Sequence, residues 1–201
     1  MKKRIPFRRV APILLLVLAG PLAASEADTD RETALAHLDR TSRLFLGSLQ
    51  GLSEAQLAYK AAEDKWSIAE VAEHVTASET FVREAVVRIL EASDAAGEGA
   101  RQDEAVQQFL TNRDQKFQAP EPLQPTGRYE SVAKTIETFK AERAVTVELA
   151  GSDIDRRGVA GEHPAFGSLD VQGWLLFLSS HTERHTKQIE EVKADPGFPE
   201  T

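Results

Sequence analysis

Apolar residues recur along most of this chain at the three- and four-residue spacing of amphipathic helices. From Thr29 to Gln50, Leu35, Leu38, Phe45, Leu46 and Leu49 share one helical stripe, and Gly51 marks its end. Ser53 to Leu57 reads as a short helical turn, and residues 60–65 as a linker. Ser67, followed three positions later by Glu70, has the spacing of a capping box at the start of a second long helix. That helix continues through Val71, Val75, Ala77, Phe81, Ala85, Val86 and Leu90 until Ala95-Ala96-Gly97-Glu98-Gly99 interrupts it. Residues 101–118 carry sparse apolar positions and predict an irregular or short helical crossover. Pro120, Pro122 and Pro125 then mark a loop, because proline lacks the N–H a helix needs and its ring clashes with the preceding turn.

A third helix is predicted from Tyr129 or Glu130 to Gly151, with Val132, Ile136, Phe139, Ala144, Val147 and Leu149 on its apolar side. Arg156 to Gly167 reads as a loop. Ser168 is the expected cap of a last helix that runs to about Lys193 with Val171, Trp174, Leu175, Phe177, Leu178 and Ile189 inward. The pattern predicts an all-α fold, a four-helix bundle with a long crossover between helices 2 and 3. No internal repeat or strand pair is visible.

The N-terminus departs from this pattern. Residues 1–9 carry five positive charges and no negative one, and Val10 to Leu22 is a short apolar run ending in Ala23-Ala24-Ser25-Glu26-Ala27. These are the parts of a secretory signal peptide, and the run is shorter than the roughly 20 residues that span a bilayer. An uncleaved anchor is the alternative, and Arg8-Arg9 matches a twin-arginine signal poorly. The reading is a signal peptide over 1–24, a single domain over 25–201, and an exported (periplasmic or secreted) protein. There is no cysteine, which excludes disulfides, thiolate chemistry and a cysteine-linked lipid anchor. Residues 1–24 hold five of the 24 Lys/Arg and none of the 32 Asp/Glu, so the rest carries 19 against 32, a net charge of −13. Such a chain repels phosphates, and nucleic-acid binding is not expected.

Three histidines change the picture. His181 and His185 are four apart on the last helix, so both rings leave one face a turn apart, on the stripe of Trp174, Leu178 and Gln188. His74 shares a face with Val71, Val75, Ser78 and Phe81 on the second helix and also points inward. Two inward faces of a bundle can bring three imidazoles to one divalent ion. A pair at this spacing is common by chance, and each histidine alone also reads as a hydrogen-bonded core residue. His37 and His163 have no partner at such spacing.

The segment Trp66-Ser67-Ile68-Ala69-Glu70-Val71-Ala72-Glu73-His74, then His163-Pro164-Ala165-Phe166-Gly167, Trp174-Leu175 and His181-Thr182-Glu183-Arg184-His185-Thr186-Lys187-Gln188-Ile189 resemble, in this order, the DinB-like superfamily. The likeness covers roughly residues 30–194. It implies a four-helix bundle in which His74, His181 and His185 bind a divalent metal, commonly nickel or zinc. It also implies metal-dependent transferases, isomerases or hydrolases acting on small molecules. The thiol-using members work with cytoplasmic thiols, which an exported chain departs from. The expected function is a metal-dependent hydrolase or transferase acting on a small molecule, and the alternative is a non-catalytic bundle stabilised by its metal.

No residue takes a catalytic assignment from the sequence. Glu70 lies one turn before His74, but its capping role with Ser67 competes. Glu73 and Glu183 are expected in solvent, and Arg184 at the surface or paired with a partner. Gln188 either orients a metal ligand or satisfies a buried amide, and His163 is expected to structure its loop. Trp66 and Trp174 read as core anchors. A homodimer through an exposed helix face is compatible with a bundle of this size.

Overall fold

The computed structural model describes residues 24–92 and 102–200. The expected signal peptide lies outside them apart from Ala24, and so does the interruption at residues 95–99. Four long helices dominate: α1 (Glu26–Ser48), α3 (Ile68–Glu91), α5 (Val132–Gly151) and α6 (Val171–Lys193). The shorter α2 (Glu54–Ala58) and α4 (Asp103–Thr111), and a 3-10 turn over Glu121–Leu123, lie between them. Among the described residues no helix is long and apolar enough to cross a membrane.

Local chemistry explains most boundaries. The Ser67 hydroxyl accepts from Glu70 N–H while the Glu70 carboxylate accepts from Ser67 N–H, the capping box the spacing predicted. Gly51 takes φ +72 in the turn after α1, a left-handed conformation that glycine adopts without steric cost. The third long helix starts at Val132 behind the cap Ser131, slightly later than the pattern suggested.

Four expectations need correction. Arg156 to Gly167 is not simply a loop, because β1 (Ala160–His163) and β2 (Gly167–Asp170) form an antiparallel hairpin, His163 opposite Gly167 and Ala160 opposite Asp170. Gly167, at φ +66, supplies the left-handed residue that a three-residue hairpin connection needs. Ser168 therefore sits in a strand, and α6 is capped by Asp170, whose carboxylate accepts from Gly173 N–H. Phe81, expected inward, is 43% exposed, since the buried stripe of α3 runs instead through Val71, Val75, Ser78, Val82 and Val86. Val147 on α5 also faces outward.

In the bundle, α1 packs beside α5 and α6, and α3 also packs beside α5 and α6. Helices α1 and α3 therefore face each other across a diagonal, as do α5 and α6, and α4 lies along α6. The core divides into two apolar clusters. One gathers around Leu38, Val86, Leu169, Trp174 and Leu178. The other gathers around Phe45, Ile68, Val71, Phe139 and Ile189.

Along each long helix a polar residue separates the two clusters: Thr41, Glu79, Arg143 and Thr182. Arg143 of α5 donates to both carboxylate oxygens of Glu79 on α3 (2.9 and 2.7 Å), to Leu38 O (2.8 Å) and Thr41 Oγ1 (3.2 Å) on α1, and to Thr182 Oγ1 on α6 (2.9 Å). Every N–H of the guanidinium is used, as burial of a charge demands. A second arginine, Arg157, ties Asp30 of α1, Asp103 of α4 and Asp170, the last residue of β2 and cap of α6, at 2.7 to 2.9 Å. Burial opposes the charge on Arg157, but its bonds to the three carboxylates outweigh that and raise its pKa further.

Arg143→Met leaves the Glu79 carboxylate buried without its cation and is expected to cost about 3–5 kcal/mol in denaturant unfolding. Arg143→Met/Glu79→Leu should recover most of that loss. A single variant within about 1 kcal/mol of wild type would show that the ion pair does not hold the layer.

Candidate metal centre

His74, on α3, and His181 and His185, on α6, meet at the interface of these two helices. His74 is 3% and His185 8% exposed, while His181 is partly exposed. Their Nε2 atoms converge: His181 Nε2 lies 3.2 Å from His74 Nε2 and 3.1 Å from His185 Nε2. Nitrogens bound at about 2.0–2.1 Å to one tetrahedral ion would be roughly 3.3 Å apart, so the spacing fits a shared ligand set.

For His74 and His185 the opposite side of the ring fixes which nitrogen is bare. His74 Nδ1 lies 2.8 Å from the carbonyl oxygen of Leu123, which can only accept, so Nδ1 carries the proton. His185 Nδ1 likewise donates to Gln188 Oε1 at 2.9 Å. Each neutral ring then presents an Nε2 lone pair to His181. A proton on His181 Nε2 can satisfy one of the two lone pairs and leaves the other facing it. His181 Nδ1 is buried with no hydrogen-bond partner among the described residues. A set of neutral imidazoles with converging lone pairs suits a divalent transition-metal ion, and outer partners of this kind are the usual means of orienting metal-binding histidines.

Burial pushes the pKa of His74 below the ordinary histidine value and those of His181 and His185 well below it, and the neighbouring imidazoles add to the effect on the latter two. The rings are thereby held in the neutral form that binds metal. Around them, Trp66 lies 5.0 Å from His74 between ring centroids, and Phe177 stacks on His181 at 5.8 Å.

The remaining candidates separate clearly. Glu70 is held by the capping box and by Lys60 at 2.7 Å, so its structural role prevails. Gln188 accepts from His185 Nδ1 through its side-chain oxygen. Glu73, expected in solvent, is 6% exposed, because the loop after the 3-10 turn docks on it. Its carboxylate accepts from Thr126 N (2.7 Å), Gly127 N (2.9 Å) and Arg128 Nε (3.1 Å). Burial works against its charge, but these donors hold its pKa below the usual carboxylate range. Arg184 is not at the surface either. The docking of α4 buries it, and it donates to the carbonyl oxygens of Leu110, Asn112 and Gln115. Glu183 is mostly covered and pairs with Arg40 at 2.6 Å.

His37 and His163 stay outside the cluster. His163 Nδ1 accepts from Ala165 N–H at 3.1 Å and its ring packs on Phe177 and Trp174, so it structures the hairpin turn. Trp174 is a core anchor, 7% exposed. One contributor was invisible beforehand: the backbone carbonyl of Leu123. The prolines around it signalled a loop, but nothing in them pointed to His74.

The comparisons agree with this architecture. The chain is 27% identical over 157 residues to the uncharacterized protein YuaE of Bacillus subtilis (strain 168), covering 72% of this chain and 88% of that protein. Among solved structures it resembles YfiT from Bacillus subtilis, described as a probable metal-dependent hydrolase with an unusual four-helix bundle topology. The TM-score is 0.52 at 15% identity, over 90% of this chain and 94% of that one. A second is TT2238, described as a four-helix bundle protein, with a TM-score of 0.48 at 20% identity over 80% and 98% of the two chains. The model of the DinB superfamily matches residues 37–189, from α1 to the end of the histidine motif, and the chain therefore belongs to the DinB superfamily.

Proposed function

We propose that this protein binds a divalent metal, zinc or nickel, through His74, His181 and His185, and that it is a metal-dependent hydrolase or transferase acting on a small molecule. The observation that carries the reading is the convergence of three imidazole Nε2 atoms, two of them fixed as lone pairs by Leu123 O and Gln188. Three protein ligands leave room for a further ligand, the arrangement of catalytic rather than structural sites. The structural likeness to YfiT, itself described as a probable metal-dependent hydrolase, supports the same direction. A metal held here supplies Lewis acidity, which polarises a carbonyl or phosphoryl oxygen and acidifies water. The chain's own residues bind and orient: Gln188 and Leu123 O set the rings, while Trp66 and Phe177 flank them with apolar surface.

One observation favours a second reading, a bundle that its metal stabilises without turnover. The carboxylates adjoining the ligands in sequence or by one helical turn, Glu70, Glu73 and Glu183, are each committed to structural partners.

Elemental analysis of residues 25–201 beside His181→Ala/His185→Ala tests the site. Near-stoichiometric metal in the wild type and little in the variant is expected, and metal in neither after loading with zinc and nickel would overturn it. At a free metal concentration 100 times Kd, the loaded protein should gain about 2.7 kcal/mol of stability. Turnover of ester, amide or phosphoester substrates by the loaded protein alone supports the enzyme. A gain in melting temperature with no turnover supports the second reading.

The metal-free protein should also respond to acid in a defined direction. Its three histidines have folded-state pKa values below the unfolded value of about 6.5, so the unfolded chain binds more protons in that window. The stability from keeping the rings neutral is complete above that value and falls as pH drops through the folded-state values. Thermal melts at pH 7.5 and 5.0 check this, and equal midpoints would contradict it.

We further propose export, supported by the charge and apolar pattern of residues 1–24. N-terminal sequencing of the protein from fractionated cells should read a start between Ala24 and Asp28. An intact Met1 would refute cleavage.

A further inference from the structure

We infer that Arg128 is a positioning residue for the metal centre, acting through the backbone of the loop that carries Leu123; the inference rests on the metal-binding reading above. The contacts form a closed circuit. Arg128 Nε pairs with Glu73 at 3.1 Å, and its two terminal nitrogens donate to Pro122 O (3.1 Å) and Gln124 O (2.6 Å). These carbonyls flank Leu123, whose own carbonyl accepts from His74 Nδ1. His74 follows Glu73 in the chain, so the circuit closes on the helix where it began.

Each part of the circuit has a physical role. A loop carbonyl on an unrestrained segment would rotate away or bond to water. Arg128 removes that freedom by holding the carbonyls on both sides in its planar fork. Glu73 anchors the fork from α3 and also takes the N–H groups of Thr126 and Gly127. Gly127 adopts φ +73 as this turn requires. The result is that Leu123 O stays 2.8 Å from His74 Nδ1, the proton stays on Nδ1, and Nε2 remains free to bind. Without this restraint, the metal-free His74 ring can place its proton on Nε2 and donate it to a neighbouring imidazole, which removes a ligand.

Charge and positioning at Arg128 act on metal affinity in opposite directions. Arg128 carries a positive charge near a cation site, so a purely through-space effect predicts that removing it tightens metal binding. Positioning predicts the reverse. Loss of outer partners that orient metal-binding histidines typically weakens metal affinity by roughly 10- to 100-fold. Arg128→Ala acts one bond further out and should give about a tenfold loss, at the low end of that range. The Arg128 side chain is 29% exposed, so the variant leaves the core intact.

The test compares the wild type, Arg128→Ala and Glu73→Gln by zinc titration against a chromogenic chelator. Long-range proton–nitrogen correlation spectra of the metal-free proteins report the His74 tautomer. The expected result is a single Nδ1–H tautomer in the wild type, a mixture in both variants, and weaker zinc binding in both. Tighter or unchanged zinc binding by Arg128→Ala would overturn the inference, as would weaker binding with the His74 tautomer unaltered, since that is a general loss of structure. If the wild type binds no zinc or nickel, the metal reading fails instead. The tautomer in the metal-free proteins still decides whether Arg128 positions His74.

Discussion

The guanidinium of Arg143 is the point at which all four long helices meet. It sits on α5 and bonds to α1 through Leu38 O and Thr41, to α3 through Glu79, and to α6 through Thr182. A buried charge of this kind adds little to stability compared with well-packed apolar residues, but it tolerates few geometries. Two apolar clusters alone would allow the helices to slide or rotate against one another. The Arg143 layer fixes their register, because a shift of one helical turn would leave either the arginine or Glu79 without a partner. Thr182, a member of this layer, is next to His181, so the same constraint sets the height at which the histidines face α3.

The convergence of the three histidines depends in turn on which helices are neighbours. His74 reaches His181 only because α3 packs beside α6. The residues preceding two of the clustered histidines, Glu73 and Arg184, then fasten the described part of the connection between α3 and α5 to the bundle. Arg184 holds the carbonyls at and beyond the end of α4, and Glu73 holds the loop that follows the 3-10 turn. Histidine and fastening residue adjoin along the same helices, so the histidine cluster and the segments docked beside it are positioned by one frame.

Much of this was legible in the residues. Helical periodicity identified the four long helices, the Ser67–Glu70 spacing located the start of α3 to the residue, and the histidine spacing picked out three rings that the fold brings together. The hairpin was missed because its strands are only four residues long, Ala-Gly-Glu-His and Gly-Ser-Leu-Asp, with no apolar alternation to report them. Helix α4 was left indistinct because its apolar signal rests on Val106, Phe109 and Leu110 alone. Glu73 and Arg184 were misplaced for a common reason. A helix pattern assigns a residue to solvent when it points away from the bundle axis, and both are buried by segments outside the four helices. Leu123 lay beyond reach altogether, since a backbone carbonyl leaves no trace in the choice of side chain.

The diagonal arrangement of the helices has a consequence for how the molecule is made. Of the consecutive long helices only α3 and α5 lie side by side, while α1 pairs with α6 across almost the entire sequence: Arg40 meets Glu183 143 positions away, and Gln172 bonds to Asp30 O 142 positions away. At equilibrium such separation matters little, because each doubling of a loop adds only about 0.6 kcal/mol of closure entropy. In time it matters more, since contacts of high sequence separation form late. During synthesis α1 emerges before α5, which brings Phe139 to Phe45, and the side of its apolar stripe that packs on α6 stays uncovered until that last helix has left the ribosome. Until then it is a natural substrate for whatever chaperone attends the nascent chain.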